Sequence, residues 1–145
     1  MGGSVATGDM LSASLEDYLE AIYHIVQKKQ AARAKDIVQR LGVKNSSVTG
    51  AMRALADKGL VNYAPHDIIT LTAEGRRISE GVVRRHEALR DFFVKVFSLE
   101  MELADRAACS MEHALPAKIL VKLTQFVKFV ERRPDFLDEF HREEG

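Results

Sequence analysis

The chain is poor in cysteine: one thiol in 145 residues. A single thiol closes no internal disulfide, so the fold rests on burial, and a reducing cytoplasm is the expected setting. No apolar run approaches the eighteen or more residues of a membrane-spanning helix, so no membrane partner is expected. The opening MGGSVATGDM lacks a charged segment followed by an apolar one, which speaks against a secretory leader. It reads as a flexible lead-in, with Met10 a candidate natural start. Internal repeats and low-complexity segments are also absent. Net charge is zero, which argues against a uniformly basic protein that coats nucleic acid.

What is present is apolar residue, 46% of the chain, ample for one core or two small ones. The neutral total hides a split. Residues 28–58 hold eight Lys or Arg against two Asp, a net of +6; residues 98–145 hold ten acids against seven Lys or Arg, a net of −3. One region is suited to phosphates and the other is not.

Periodicity organises the chain. Ser14 with Leu15, Glu16 and Asp17 opens a helix whose apolar face is Leu15, Leu19, Ile22, Tyr23 and Val26. A short helix over 34–41 is stopped by Gly42, Val43 and Lys44 form a tight turn, and Asn45 or Ser46 caps a third helix that reaches about Lys58. Two β-prone runs, 60–63 and 68–71, flank the turn Ala64-Pro65-His66-Asp67, giving a hairpin, or wing, and the only sheet expected. Thr72 caps a long helix over about 73–97; further helices cover about 101–115 and from Pro116 to about Arg133, where Pro134 breaks the pattern before a short final helix. The expected architecture is mainly α: a winged helix-turn-helix over 10–72, then a helical dimerisation domain over 73–140.

A helix entering a DNA major groove, about 12 Å wide, needs small polar side chains near its start. Asn45, Ser46, Ser47, Thr49 and Gly50 meet that need, and Arg53 lies further along for a phosphate or base edge. Lys35, Arg40 and Lys44 are placed for phosphates, which set register rather than sequence, and His66 on the wing for a flanking one. Val48, Met52 and Leu55 would face inward. Serine and threonine at a helix start are also ordinary capping residues, so the local charge of +6 weighs most in the DNA reading. The apolar excess of the second half (Phe92, Phe93, Phe97, Leu103, Phe126 and Phe129) is a candidate dimer face or ordinary core.

The segment ACSMEH places Cys109, Glu112 and His113 at i, i+3 and i+4, where a thiol, a carboxylate and an imidazole can reach one cation. Such a cation wants four to six ligands. Asp17 and Glu20, one turn apart on the first helix, and His86 on the long helix are the candidates to complete it. Each also has a plainer reading: early carboxylates offset a helix dipole, and a lone cysteine is more often core. Carboxylates suit Mn²⁺ and Fe²⁺, whereas a thiolate with imidazoles pulls toward Fe²⁺, Co²⁺, Ni²⁺ or Zn²⁺, so the mixture favours Fe²⁺ over Mn²⁺.

With LEDYLEAIY, DIVQRLGVKNSSVTGAMRALADKGLV, ITLTAEGR, VVRRHEAL and CSMEH in this order, the chain resembles the diphtheria-toxin-repressor family of iron- and manganese-dependent transcriptional regulators, over residues 15–134. The resemblance implies a homodimer whose binding to palindromic operators of metal-uptake genes is activated by Fe²⁺ or Mn²⁺, with Co²⁺, Ni²⁺ or Zn²⁺ as possible surrogates. It implies metal ligands at Asp17, Cys109, Glu112 and His113, an ancillary one at His86, and a manganese-branch carboxylate at Glu20. Asp17 matches the manganese-responsive branch and Cys109 the iron-responsive one, so the chain is a hybrid. Arg90 and Asp105 stand where the iron branch carries Glu and His. The resemblance is to the short, two-domain branch, so a third, SH3-like domain is not expected. An alternative is a winged-helix regulator that senses redox state or a small ligand through Cys109; an enzyme would leave the basic helix-turn-helix unexplained.

Overall fold

The computed structural model describes residues 11–64 and 68–144. In chain order the elements are α1 (Ala13–Lys29), α2 (Ala34–Leu41), α3 (Asn45–Asp57), β1 (Val61–Ala64), β2 (Ile68–Leu71), α4 (Ala73–Lys95), α5 (Met101–Met111), a 3₁₀ turn (Glu112–Ala114), α6 (Ala117–Glu131) and α7 (Pro134–Glu144). They form two compact units, Met1–Val82 and Val83–Gly145, with the division inside α4. The fold is mainly helical, with an N-terminal winged helix-turn-helix and a C-terminal helical domain.

In the first unit α1 is capped by Ser12, whose Oγ accepts from the Leu15 N–H at 3.1 Å. Ser14, expected to open it, already lies inside the helix. The buried stripe of α1 runs through Tyr18, Leu19, Ala21, Ile22 and Ile25, so it is turned slightly from the expected face, and Tyr23 is only half-buried. Gly42 ends α2 in the left-handed conformation, φ 69°. The N-cap of α3 is Lys44, not Asn45 or Ser46, and Lys44 makes no side-chain capping bond.

Leu19, Ile22, Ile37, Val48, Met52, Leu55 and Ile69 pack into one buried cluster. Each such side chain contributes about 1.5–3 kcal/mol of burial. β1 and β2 pair antiparallel in the register Val61↔Leu71 to Ala64↔Ile68, and Ala32 bridges Ile69, joining the α1–α2 connection to the wing. The expected wing turn includes Pro65, His66 and Asp67, which lie outside the described residues. Thr72 caps α4 as expected: its Oγ1 accepts from the Gly75 N–H at 3.0 Å and donates to the Gly59 carbonyl at 2.7 Å. Gly75 is dictated by contact, since a Cβ there would stand 1.8 Å from the Leu60 carbonyl oxygen.

In the second unit Val96, Val127 and Val130 form a small buried cluster, with Phe92 and Leu137 packed against it. Lys95 on α4 meets Glu131 at the end of α6 at 2.7 Å. The helix expected over 101–115 stops at Met111 and tightens into the 3₁₀ turn. The helical course ends altogether at Leu115. Leu115 precedes Pro116, whose ring disfavours helical backbone before it, and Leu115 is extended at φ −87° and ψ 110°. No helix among the described residues is long and apolar enough to cross a membrane.

Candidate functional site

The reading head is built by α2, the turn after Gly42, and α3. Val48, Ala51, Met52 and Leu55 turn one side of α3 into the core. That leaves Asn45, Ser46, Ser47, Gly50 and Arg53 exposed and Thr49 half-buried. Thr49 Oγ1 donates to the Asn45 carbonyl at 3.2 Å, so its hydroxyl is partly committed within the helix. Lys35, Arg40 and Lys44 are exposed on the adjoining surface. A Cβ on Gly50 would meet nothing within 4 Å, so the first unit's own packing gives no reason for glycine at this exposed helical position. His66 lies outside the described residues.

α2 is held firmly behind this surface. The Asp36 carboxylate takes Lys29 Nζ at 2.8 Å and the Arg33 backbone N–H at 3.0 Å. The Lys29 ammonium, outweighing the opposite effect of burial, holds the Asp36 carboxyl below its ordinary value of 3.8.

In the second unit the candidate ligands gather around Glu112, whose surface is entirely buried. His86 Nδ1, on α4, lies 2.7 Å from Glu112 Oε1. His113 Nε2 lies 3.7 Å from Oε2 of the same carboxylate. The Cys109 sulfur is within 4.8 Å of a Glu112 oxygen, although Cys109 is itself exposed. The unit therefore brings together His86, Cys109, Glu112 and His113. It does so through a helix followed by a 3₁₀ turn, where the i, i+3, i+4 reading assumed one continuous α-helix. Asp17 and Glu20 belong to the first unit, half-buried and one turn apart on α1, with Glu20 3.8 Å from His24.

Two residues that the sequence pattern did not single out as working parts belong to this cluster. Asp105 Oδ1 lies 2.9 Å from His86 Nε2, and Arg85 Nε donates to the Glu112 carbonyl at 2.8 Å. Asp105 could have been found, for it precedes Cys109 by four and Glu112 by seven on the same helical course. Arg85 carried no local signal.

A carboxylate without exposed surface needs positive charge or donors around it. A divalent cation fits that need, and the donor set of carboxylate, imidazoles and thiol is one that first-row metals accept.

Comparison with known proteins identifies the family. The iron-dependent-repressor N-terminal DNA-binding domain matches residues 10–67, and the iron-dependent-repressor metal-binding and dimerisation domain matches residues 72–140. The chain belongs to the iron-dependent repressor family, a family of DNA-binding transcriptional regulators rather than enzymes. It is 34% identical over 119 residues to an uncharacterised HTH-type transcriptional regulator of Methanocaldococcus jannaschii, covering 81% of this chain and 95% of the relative. It is 30% identical over 128 residues to the HTH-type transcriptional regulator MntR of Lysinibacillus sphaericus, covering 88% and 91%. Among solved structures, T. acidophilum IdeR superposes with a TM-score of 0.70 at 25% identity, over 76% of this chain and 52% of that one. A manganese-dependent transcriptional repressor in complex with manganese superposes with a TM-score of 0.70 at 30% identity, over 79% and 53%. The chain thus matches about half the length of those two solved proteins.

Proposed function

We propose that this chain is a homodimeric repressor whose binding to palindromic operators of metal-uptake genes is switched on by a divalent cation, Fe²⁺ or Mn²⁺. Domain limits of 10–72 for the reader and 73–140 for the metal-binding and dimerisation part go with this reading. The ligands we assign are His86, Cys109, Glu112 and His113 from the helical unit, with Asp17 and Glu20 supplied by α1. The contacts we assign to DNA are Lys35, Lys44, Asn45, Ser46, Ser47, Thr49, Gly50, Arg53 and His66. The observation that carries the reading is the fully buried Glu112 carboxylate, with an imidazole nitrogen at 2.7 Å and a second imidazole and a thiol nearby. When bound, the cation would supply the positive charge that lets several carboxylates share one place. Recruiting ligands from α1 would link metal occupancy to the arrangement of the reader, and DNA would then raise metal affinity by the same factor that metal raises DNA affinity.

The test is operator binding against Mn²⁺, Fe²⁺, Co²⁺ and Zn²⁺ without oxygen. Metal should tighten binding in the wild-type chain, and Glu112→Gln should abolish the response. Asp17→Met should weaken the Mn²⁺ response more than the Fe²⁺ response; equal loss for both would remove Asp17 as the source of manganese preference. The exposed Cys109 favours a second reading, in which thiol oxidation is the trigger. That reading replaces the first if operator affinity follows oxidation of Cys109, is lost in Cys109→Ala, and ignores metal.

A further inference from the structure

Resting on the metal-centre reading above, we infer that Asp105 is a positioning residue for that centre. Through Nε2 it holds the His86 ring so that Nδ1 stays turned to the buried Glu112 carboxylate. Three side chains from α4, α5 and the 3₁₀ turn form a line within the second unit: Asp105 Oδ1 to His86 Nε2 at 2.9 Å, then His86 Nδ1 to Glu112 Oε1 at 2.7 Å. The line is anchored at its far end by Arg85, which donates to the Glu112 main-chain carbonyl at 2.8 Å. It runs from the surface to the interior. Asp105 has a side chain 48% exposed, His86 17%, and Glu112 none.

An imidazole can ligate a cation through a ring nitrogen only when that nitrogen carries no proton. Once a cation replaces the proton shared between Nδ1 and Glu112, the remaining ring proton belongs on Nε2, and Asp105 is the acceptor that keeps it there. A carboxylate behind a ligating histidine sets its tautomer, orients the ring and raises its basicity; losing one costs about 10–100-fold in metal affinity. Asp105 does this from a position half open to water, so replacing it leaves the buried cluster of the unit untouched.

The experiment compares Asp105→Ala and Asp105→Asn with the wild-type chain, by nitrogen-15 NMR of the His86 ring and by Zn²⁺ and Mn²⁺ affinity from chelator competition. In metal-free wild-type protein the His86 nitrogens should report a ring held at both positions. Asp105→Ala should shift the Nε2 resonance and weaken both metals by about 10–100-fold at unchanged stoichiometry. Asp105→Asn, whose amide oxygen still accepts from Nε2–H, should recover most of the affinity. Unchanged His86 resonances in metal-free Asp105→Ala overturn the inference whatever the metal data show. Loss of one whole equivalent of metal with the His86 tautomer unaltered also overturns it, because Asp105 is then itself a ligand. If the wild-type chain binds neither metal, the proposed function fails, and the metal-free His86 spectra alone decide whether Asp105 positions the ring.

Discussion

Asp36 shows how much one carboxylate can do for a small reader. It reaches back to the Arg33 N–H at the start of α2 and holds the Lys29 ammonium from α1. Lys29 is 60% exposed, so solvent screening leaves that pair only about 0.5 kcal/mol, and the bond to the helix start adds about 1 kcal/mol. Asp36→Ala, which removes both, should therefore cost about 1–1.5 kcal/mol in urea denaturation at pH 7. The Asp36 carboxyl is held below 3.8, so its contribution is complete above that value and is lost as pH falls through the depressed folded value. The gap between the two proteins should narrow steadily below about pH 4. Gly75 sets the opposite kind of constraint. With a Cβ facing the Leu60 carbonyl at 1.8 Å, Gly75→Ala must displace backbone, and we expect a loss of about 1–3 kcal/mol, read as a lower urea midpoint.

The elements divide between those that local chemistry specifies and those that their neighbours correct. α2 runs over the expected residues because its start, its stop at Gly42 and its apolar spacing all agree. The helix expected over 101–115 ends earlier, at Met111, and Pro116 accounts only for the extended Leu115 that closes the 3₁₀ turn. α3 carries its own prediction. Alanine is favoured over glycine inside a helix by about 0.5–1 kcal/mol, and nothing in the first unit crowds position 50. Gly50→Ala should raise the thermal midpoint while weakening operator binding, measured by fluorescence anisotropy. Gain of stability with unchanged DNA affinity would show that no duplex approaches α3 there.

At the scale of the whole molecule, the second unit exposes more apolar surface than its small core explains. Phe97, Leu103, Phe126 and Phe129 are exposed, as are Ile119, Val121, Phe136 and Phe140. Phe92 and Phe93 are half-buried, and Phe92 packs on the core, so the expected dimer face includes one residue that belongs to the interior. This many exposed large apolar side chains in so small a unit suit an interaction surface. The double change Phe126→Glu with Phe129→Glu should shift the chain toward monomer in sedimentation velocity and weaken operator binding together with it. Loss of DNA binding without any change in sedimentation would place those phenylalanines elsewhere in the mechanism.

The sequence by itself determined the order of elements, the inward face of α3, the small polar residues at its start and the ligand-type residues. Each of these follows from spacing along one segment, which local backbone geometry converts directly into a face. Only the tertiary structure decided that Glu112 is wholly buried, that His86 lies between it and Asp105, and that Arg85 holds its carbonyl. Those facts join residues 19 to 27 positions apart on separate elements, and no periodicity along the chain encodes a meeting between them.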